Sequence, residues 1–146
     1  MLGLALPQLG APAGLYSPCV WTGSSVYVSG QIPRRPDGSG VAVQGRVGAG
    51  VTVEEAASLA RTCALQALAI VRAEVGSLDR VVAVPRVAGY VAGAPGFTDH
   101  PSVVNGASEV LLEVFGRLGR HARIAIGVAE LPLGAPVEVE FLFEVV

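Results

Sequence analysis

The sequence predicts an α+β fold in which one sheet carries two helices on a single face, over one domain spanning residues 1–146. Three observations predict it. Two long stretches repeat apolar residues at helical spacing, several shorter ones alternate with period two between turn residues, and the order along the chain is βββαβαββ without linker or repeat. A length of 146 residues suits a chain with one core of its own.

Each element has its own signal. PCVWTGSSVYVSG (18–30) reads as a hairpin turning at Gly23-Ser24. VAVQGRV (41–47), reached through the turn-rich RRPDGSG, is the expected third strand. TVEEAASLARTCALQALAIVRAEVG is the clearest helix. Thr52 with Glu55 three residues later forms a capping-box signature, and Gly76 is the expected stop. Its Ala56, Leu59, Ala60, Cys63, Ala67, Ile70 and Val71 recur at helical spacing, so one face turns inward. DRVVAVPRVAGYV (79–91) reads as a long strand in which Pro85, lacking an N–H, requires an edge position or a bulge. Beyond the loop AGAPGFTDH a second helix is expected over about 101–117, with Thr98 or Asp99 as cap and Pro101 in its first turn. HARIAIGVAELPLGAPVEVEF (121–141) supplies the last two strands. Helices on one sheet face leave the other in need of cover.

Composition suggests what the cover is. Charged residues are 15% of the chain, where an ordinary soluble domain has about 25%, and 51% are hydrophobic. So few charges point to surface hidden by further copies of the chain, a homo-oligomer. A membrane is the competing explanation, but no apolar run approaches the roughly 20 residues needed to span one. The start, MLGLALPQLG, lacks a basic region and is broken by Pro7, so it is not read as a signal peptide, and cytoplasm is the expected compartment. The net charge is −2 and all ten basic residues are scattered arginines, which argues against a nucleic-acid partner. Cys19 and Cys63 are far apart, with no histidine at ligand spacing. They read as buried reduced thiols rather than a metal site.

The last two strands carry the chemistry. Val137, Val139, Phe141, Phe143 and Val145 point one way, and Glu138, Glu140, Leu142 and Glu144 the other. In the preceding strand Arg123 shares a face with Ala125, Gly127 and Ala129, opposite Ile124, Ile126 and Val128. Small neighbours leave room beside the guanidinium. One reading is close subunit packing with solvated glutamates. The other is an anion-sized pocket anchored by Arg123, whose planar fork grips carboxylates.

GLYSPCV near the start, VYVSGQIP, VVNGAS, and the run R-x7-LP-x4-VEVE occur in order over nearly the whole chain. Together they resemble the Rid family of YjgF-like reactive intermediate deaminases, also labelled endoribonuclease L-PSP. The resemblance implies a chorismate-mutase-like fold, a homotrimer, and ligand clefts between subunits. It also implies hydrolysis of enamine and imine intermediates, such as 2-aminoacrylate, to 2-oxo acids and ammonia without metal or cofactor. By position, Arg123 matches the arginine that holds the substrate carboxylate, and Glu138, fifteen residues on, the glutamate that handles the attacking water. Tyr16 matches the ligand-side tyrosine, Ser29 and Gly30 the backbone approach to the ligand, and Asn105 the asparagine heading the second helix. Studied deaminases usually have Pro two before the arginine, Ser or Thr just after it, and often Cys two after. Here those positions hold His121, Ile124 and Ala125, and the segments Arg34–Gly50 and Ala92–His100 are longer than in compact members. The chain therefore resembles a divergent branch. An imine or enamine hydrolase acting on a 2-imino acid is the first expectation. A non-catalytic binder of small carboxylates is second, and an endoribonuclease third.

Overall fold

The computed structural model describes residues 3–12 and 14–146. Its main sheet has five strands: β1 (Cys19–Thr22), β2 (Ser25–Gln31), β5 (Val81–Ala92), β6 (Ala122–Val128) and β7 (Val137–Val145), in the order β1-β2-β7-β5-β6. Two helices, α1 (Val53–Val75) and α2 (His100–Phe115), cover one face. The expected α+β layer is the observed one.

The β1–β2 hairpin turns where the sequence places it, with Thr22 opposite Ser25 and Gly23 at φ +58°, a left-handed conformation that glycine adopts without strain. The expected third strand is different. Only Arg46–Val47 (β3) is extended, and it pairs in parallel with Gly50–Val51 (β4) in a small ribbon outside the main sheet. Residues 41–45 fold back on their neighbours instead. Ala42 N–H donates to the Pro33 carbonyl and Gly45 N–H to that of Gly134, while Val41 is buried against Ile32 and Ala135. The Arg46 guanidinium then ties the ribbon to the Gly93 and Ala129 carbonyls and the Glu130 carboxylate.

The capping box of α1 is formed in both directions: Thr52 Oγ1 accepts from Glu55 N–H at 3.1 Å, and Glu55 Oε2 accepts from Thr52 N–H at 2.8 Å. Gly76 ends the helix at φ +90°. Of the residues expected to face inward, Ala56, Ala60, Cys63, Ala67, Ile70 and Val71 are buried, and Leu59 packs at the margin. Small residues let the helices approach closely, and a Cβ on Gly106 of α2 would strike the Ala57 backbone of α1. The second helix begins one residue earlier than expected and ends at Phe115. Asp99 precedes it, but its carboxylate accepts from Ser102 Oγ (2.6 Å) rather than from a helix N–H.

Pro85 sits at a bulge. Four residues of β5, Ala83 to Arg86, stand against three of β7, Glu144 to Leu142, and β5 meets β6 only from Arg86 onward. Its missing N–H therefore falls where no ladder needs it. Beyond it, β5-α2-β6 is a parallel crossover, which puts α2 on the β5–β6 side of the sheet.

The core lies between helices and sheet. Val137, Val139, Phe141, Phe143 and Val145 all enter it, as the alternation requires. The opposite face is open. It shows Val20 (59% exposed) and Tyr27 (51%), with Ile124 and Ile126 (39% each) on the edge strand β6. Among the described residues, no helix is long and apolar enough to cross a membrane.

Candidate active site

A cleft of about 500 Å³ opens at the end of β2, between the N-terminal segment, α1 and β7. Tyr16, Ser29, Gly30 and Glu138, four of the expected site residues, all line it. The local fold explains how they meet. Between Val28 and Gln31, β2 carries one residue more than its partner β7, so the strand bulges at Ser29-Gly30. The Ser29 hydroxyl donates to the Ser17 carbonyl (2.7 Å) and its N–H to the Pro18 carbonyl (2.9 Å), which fixes the GLYSP segment beside the bulge. Its side chain is thus committed to the protein, leaving the backbone to face the cleft. Glu138 leans over Gly30: a Cβ there would overlap Glu138 Oε1. The carboxylate occupies the place a side chain would take, so glycine here lets Glu138 stand over the backbone.

Glu138 is half-buried, and loss of water around its carboxylate, followed by repulsion from Glu140, raises its pKa above the usual carboxylate range. Glu140 accepts from Tyr90 Oη at 3.1 Å. The floor of the cleft is Gln66, 4% exposed and fully engaged: its amide donates to Gln31 Oε1 (3.1 Å) and the Ile32 carbonyl (2.9 Å) and accepts from Arg34 N–H (2.9 Å). Tyr16 stands at the mouth, half exposed.

Arg123 lies elsewhere. It pairs with Val87 in the β5–β6 ladder and points to the helix face, where Nη1 donates to Asn105 Oδ1 (2.8 Å) and Ser108 Oγ (3.1 Å) and Nη2 makes a long contact with the Pro101 carbonyl (3.5 Å). Ala125 and Gly127 follow it on that face. The space they leave is filled by α2, since a Cβ on Gly127 would strike the His100 ring. Room beside the guanidinium is therefore taken by a helix, and Asn105 and Ser108 are what it brings. Among the described residues Arg123 has no acidic partner.

The expected residues thus form two groups. Tyr16, Ser29, Gly30 and Glu138 line the cleft, Arg123, Asn105 and Ala125 gather under α2, and the two groups do not meet within one chain. Sequence reasoning missed Gln66, Ser108 and the contact role of His121, which bonds Ser108 Oγ through Nε2 at 2.8 Å. The signal was there in spacing: Asn105 and Ser108 are one helical turn apart, and His121 and Arg123 are two residues apart.

Both cysteines are free. Cys63 is fully buried and its thiol is pushed strongly up by burial, whereas Cys19 is only half-buried. Among the described residues, no three His, Cys, Asp or Glu side chains are placed to hold a metal ion.

Comparison with known proteins bears on the fold and the family. A family model described as "YjgF/chorismate mutase-like, putative endoribonuclease" matches residues 1–145. Protein TCP17 of Trypanosoma cruzi is 46% identical over 144 residues, which is 98% of this chain and 89% of that protein. Atu1372 of Agrobacterium tumefaciens, described as of unknown function, superposes with a TM-score of 0.91 at 40% identity, covering 99% of this chain and 88% of that one. A Shewanella oneidensis protein bearing the same endoribonuclease description gives a TM-score of 0.92 at 34% identity, with 98% and 93% covered.

Proposed function

The chain belongs to the YjgF/chorismate mutase-like family, and on that basis we propose that it hydrolyses enamine and imine derivatives of 2-oxo acids, releasing the oxo acid and ammonia. The observation that carries this reading is the Glu138 carboxylate over the Gly30 backbone, half desolvated and with its pKa raised. A carboxylate made more basic by burial is a better acceptor for a water proton.

Water adds through oxygen to the C=N carbon while one of its protons passes to Glu138. The nitrogen takes a proton from solvent, giving a carbinolamine. Collapse of that intermediate forms the C=O bond and breaks the C–N bond: the hydroxyl proton returns to solvent, and Glu138 gives its proton to nitrogen so that neutral ammonia leaves. An enamine such as 2-aminoacrylate first takes a proton on its terminal carbon to become the imine. Arg123 holds the carboxylate, and since it has no acidic partner among the described residues its charge is available to a ligand.

Arg123 and Glu138 then have to come from different copies. The low charge content and the exposed Val20, Tyr27, Ile124 and Ile126 support a homotrimer in which the β6 edge of one subunit closes the cleft of the next. Freshly generated 2-aminoacrylate is the direct test. Release of pyruvate above the spontaneous rate by wild type, and its loss in Glu138→Gln with assembly intact, is the expected result. No acceleration, with pyruvate still bound, would leave a non-catalytic carboxylate binder.

A further inference from the structure

His121 stands just outside β6, Ser108 lies on the inner side of α2, and the two are joined to Arg123 in one hydrogen-bonded line. His121 Nδ1 lies 2.7 Å from the Gly119 carbonyl, His121 Nε2 lies 2.8 Å from Ser108 Oγ, and Ser108 Oγ lies 3.1 Å from Arg123 Nη1. We infer that Ser108 and His121 are positioning residues for Arg123, which fix its guanidinium so that the Nε–Nη2 edge is the one offered to a carboxylate. This rests on the proposed role of Arg123.

The direction of each bond follows from which atoms carry hydrogen. A carbonyl oxygen can only accept, so His121 Nδ1 carries a proton and donates to Gly119. In the neutral ring Nε2 is then a bare acceptor. A guanidinium can only donate, so Ser108 Oγ accepts from Arg123 Nη1 and turns its own proton elsewhere. His121 Nε2 receives it. With the hydroxyl proton drawn to the imidazole, Ser108 presents a lone pair to the arginine and behaves as a one-way acceptor.

The consequence falls on the fork. Nη1 has two hydrogens, and Asn105 Oδ1 and Ser108 Oγ take both. The end-on grip through Nη1 and Nη2 is therefore closed to a ligand. Nη2 has only the 3.5 Å contact with Pro101, at the limit of a hydrogen bond, and Nε makes none with the described residues. A carboxylate can meet Nε–H and Nη2–H in the side-on bidentate arrangement, and only there. Ser108 is 9% exposed, so water is a poor substitute acceptor if the serine or histidine is changed.

The test has two arms. Nitrogen-15 NMR of the protein without ligand reads the imidazole and guanidinium directly. The expected result is a protonated Nδ1 and an unprotonated Nε2 in His121, and slowly rotating, separately resolved Arg123 Nη resonances. These should coalesce in His121→Phe and Ser108→Ala, and remain resolved in Ser108→Thr. Calorimetric titration with pyruvate is the second arm. His121→Phe and Ser108→Ala should weaken binding by about 3- to 10-fold, and Ser108→Thr should restore it, with assembly unchanged. Where imine turnover is measurable, KM should rise with kcat nearly constant, because the carboxylate is held equally before and during reaction. A protonated Nε2 with bare Nδ1, or Arg123 resonances unaltered by His121→Phe, overturns the inference. So does pyruvate affinity unchanged in both variants. If wild type itself fails to bind pyruvate, the proposed function falls, and the NMR arm decides the positioning role by itself.

Discussion

Arg123 and Glu138 lie on opposite faces of one sheet, with β5 between their strands. Arg123 is paired with Val87 on the helix side, and Glu138 with Tyr90 on the open side. If both act on one substrate, each functional cleft takes the arginine from one subunit and the glutamate from another. Arg123→Ala and Glu138→Gln should each be nearly inactive alone. Unfolded together and reassembled at equal amounts, they should recover about a quarter of wild-type activity, because random pairing gives that share of intact clefts. Recovery no greater than the two parent activities would show that the residues do not share a site.

If Arg123 holds the substrate carboxylate, removing it deletes a charge-assisted bidentate pair. Such bonds are worth about 1.5–3 kcal/mol, so kcat/KM should fall on the order of 10- to 150-fold in Arg123→Ala. Arg123→Lys should recover only part, since an ammonium lacks the planar fork. An intact assembly with undiminished 2-oxo-acid binding would mean the anchor is elsewhere.

Gly30→Ala separates fold from chemistry. Gly30 does not have a left-handed φ, and the atom its new methyl meets is the mobile end of Glu138. Stability should change by less than about 1 kcal/mol in denaturant unfolding. The carboxylate, however, must move, and kcat should fall on the order of 100-fold, as for a misplacement of about 1 Å. Full activity in this variant would show that the position of Glu138 over the backbone is unimportant.

The raised pKa of Glu138 acts in opposite directions on activity and on stability as pH rises. A base that must be ionised gives an activity limb that rises with pH, here centred above the ordinary glutamate value of about 4.3. Glu140→Gln removes the second cause of the shift and should move the limb to lower pH. For stability, a carboxyl whose folded pKa is raised favours the fold when protonated, and that contribution is lost as pH rises through the folded pKa. Glu138→Gln should therefore melt above wild type at neutral pH, with the difference closing as pH falls below the ordinary range. A difference independent of pH would point to packing instead.

Gly106 tests the frame on which Asn105 and Ser108 stand. A methyl there meets the Ala57 backbone, which cannot swing aside, so α1 and α2 must separate. Gly106→Ala should cost about 1–3 kcal/mol by urea unfolding. Unaltered stability would mean that the helix contact is looser than the structure has it.

The elements were legible in the sequence because their causes are local. Thr52 and Glu55 are three residues apart, Pro85 has no N–H wherever it sits, and Val137 to Val145 alternate by the geometry of an extended chain. The third strand was not legible. Val41 and Val43 alternate like a strand, but Val41 is drawn into a small cluster with Ile32 and Ala135, and no sheet edge receives the segment. Strand pairing is a long-range choice, made by whichever neighbour is available.

The same division runs through the site. Sequence alone showed the charge and acidity available at Arg123 and Glu138, because these belong to the side chain, and the family resemblance pointed to Tyr16 and Asn105. It determined as well that Arg123 and Glu138 each project from one face of a strand. Tertiary structure decided which face. The order β1-β2-β7-β5-β6 and the crossover through α2 place Arg123 beneath a helix, fill the gap left by Ala125 and Gly127 with α2, and set Glu138 over a bulge in a strand more than a hundred residues away in sequence. Ser108 and His121 took their roles only there. A hydrogen bond depends on distances of a few tenths of an ångström between residues whose separation along the chain carries no such information.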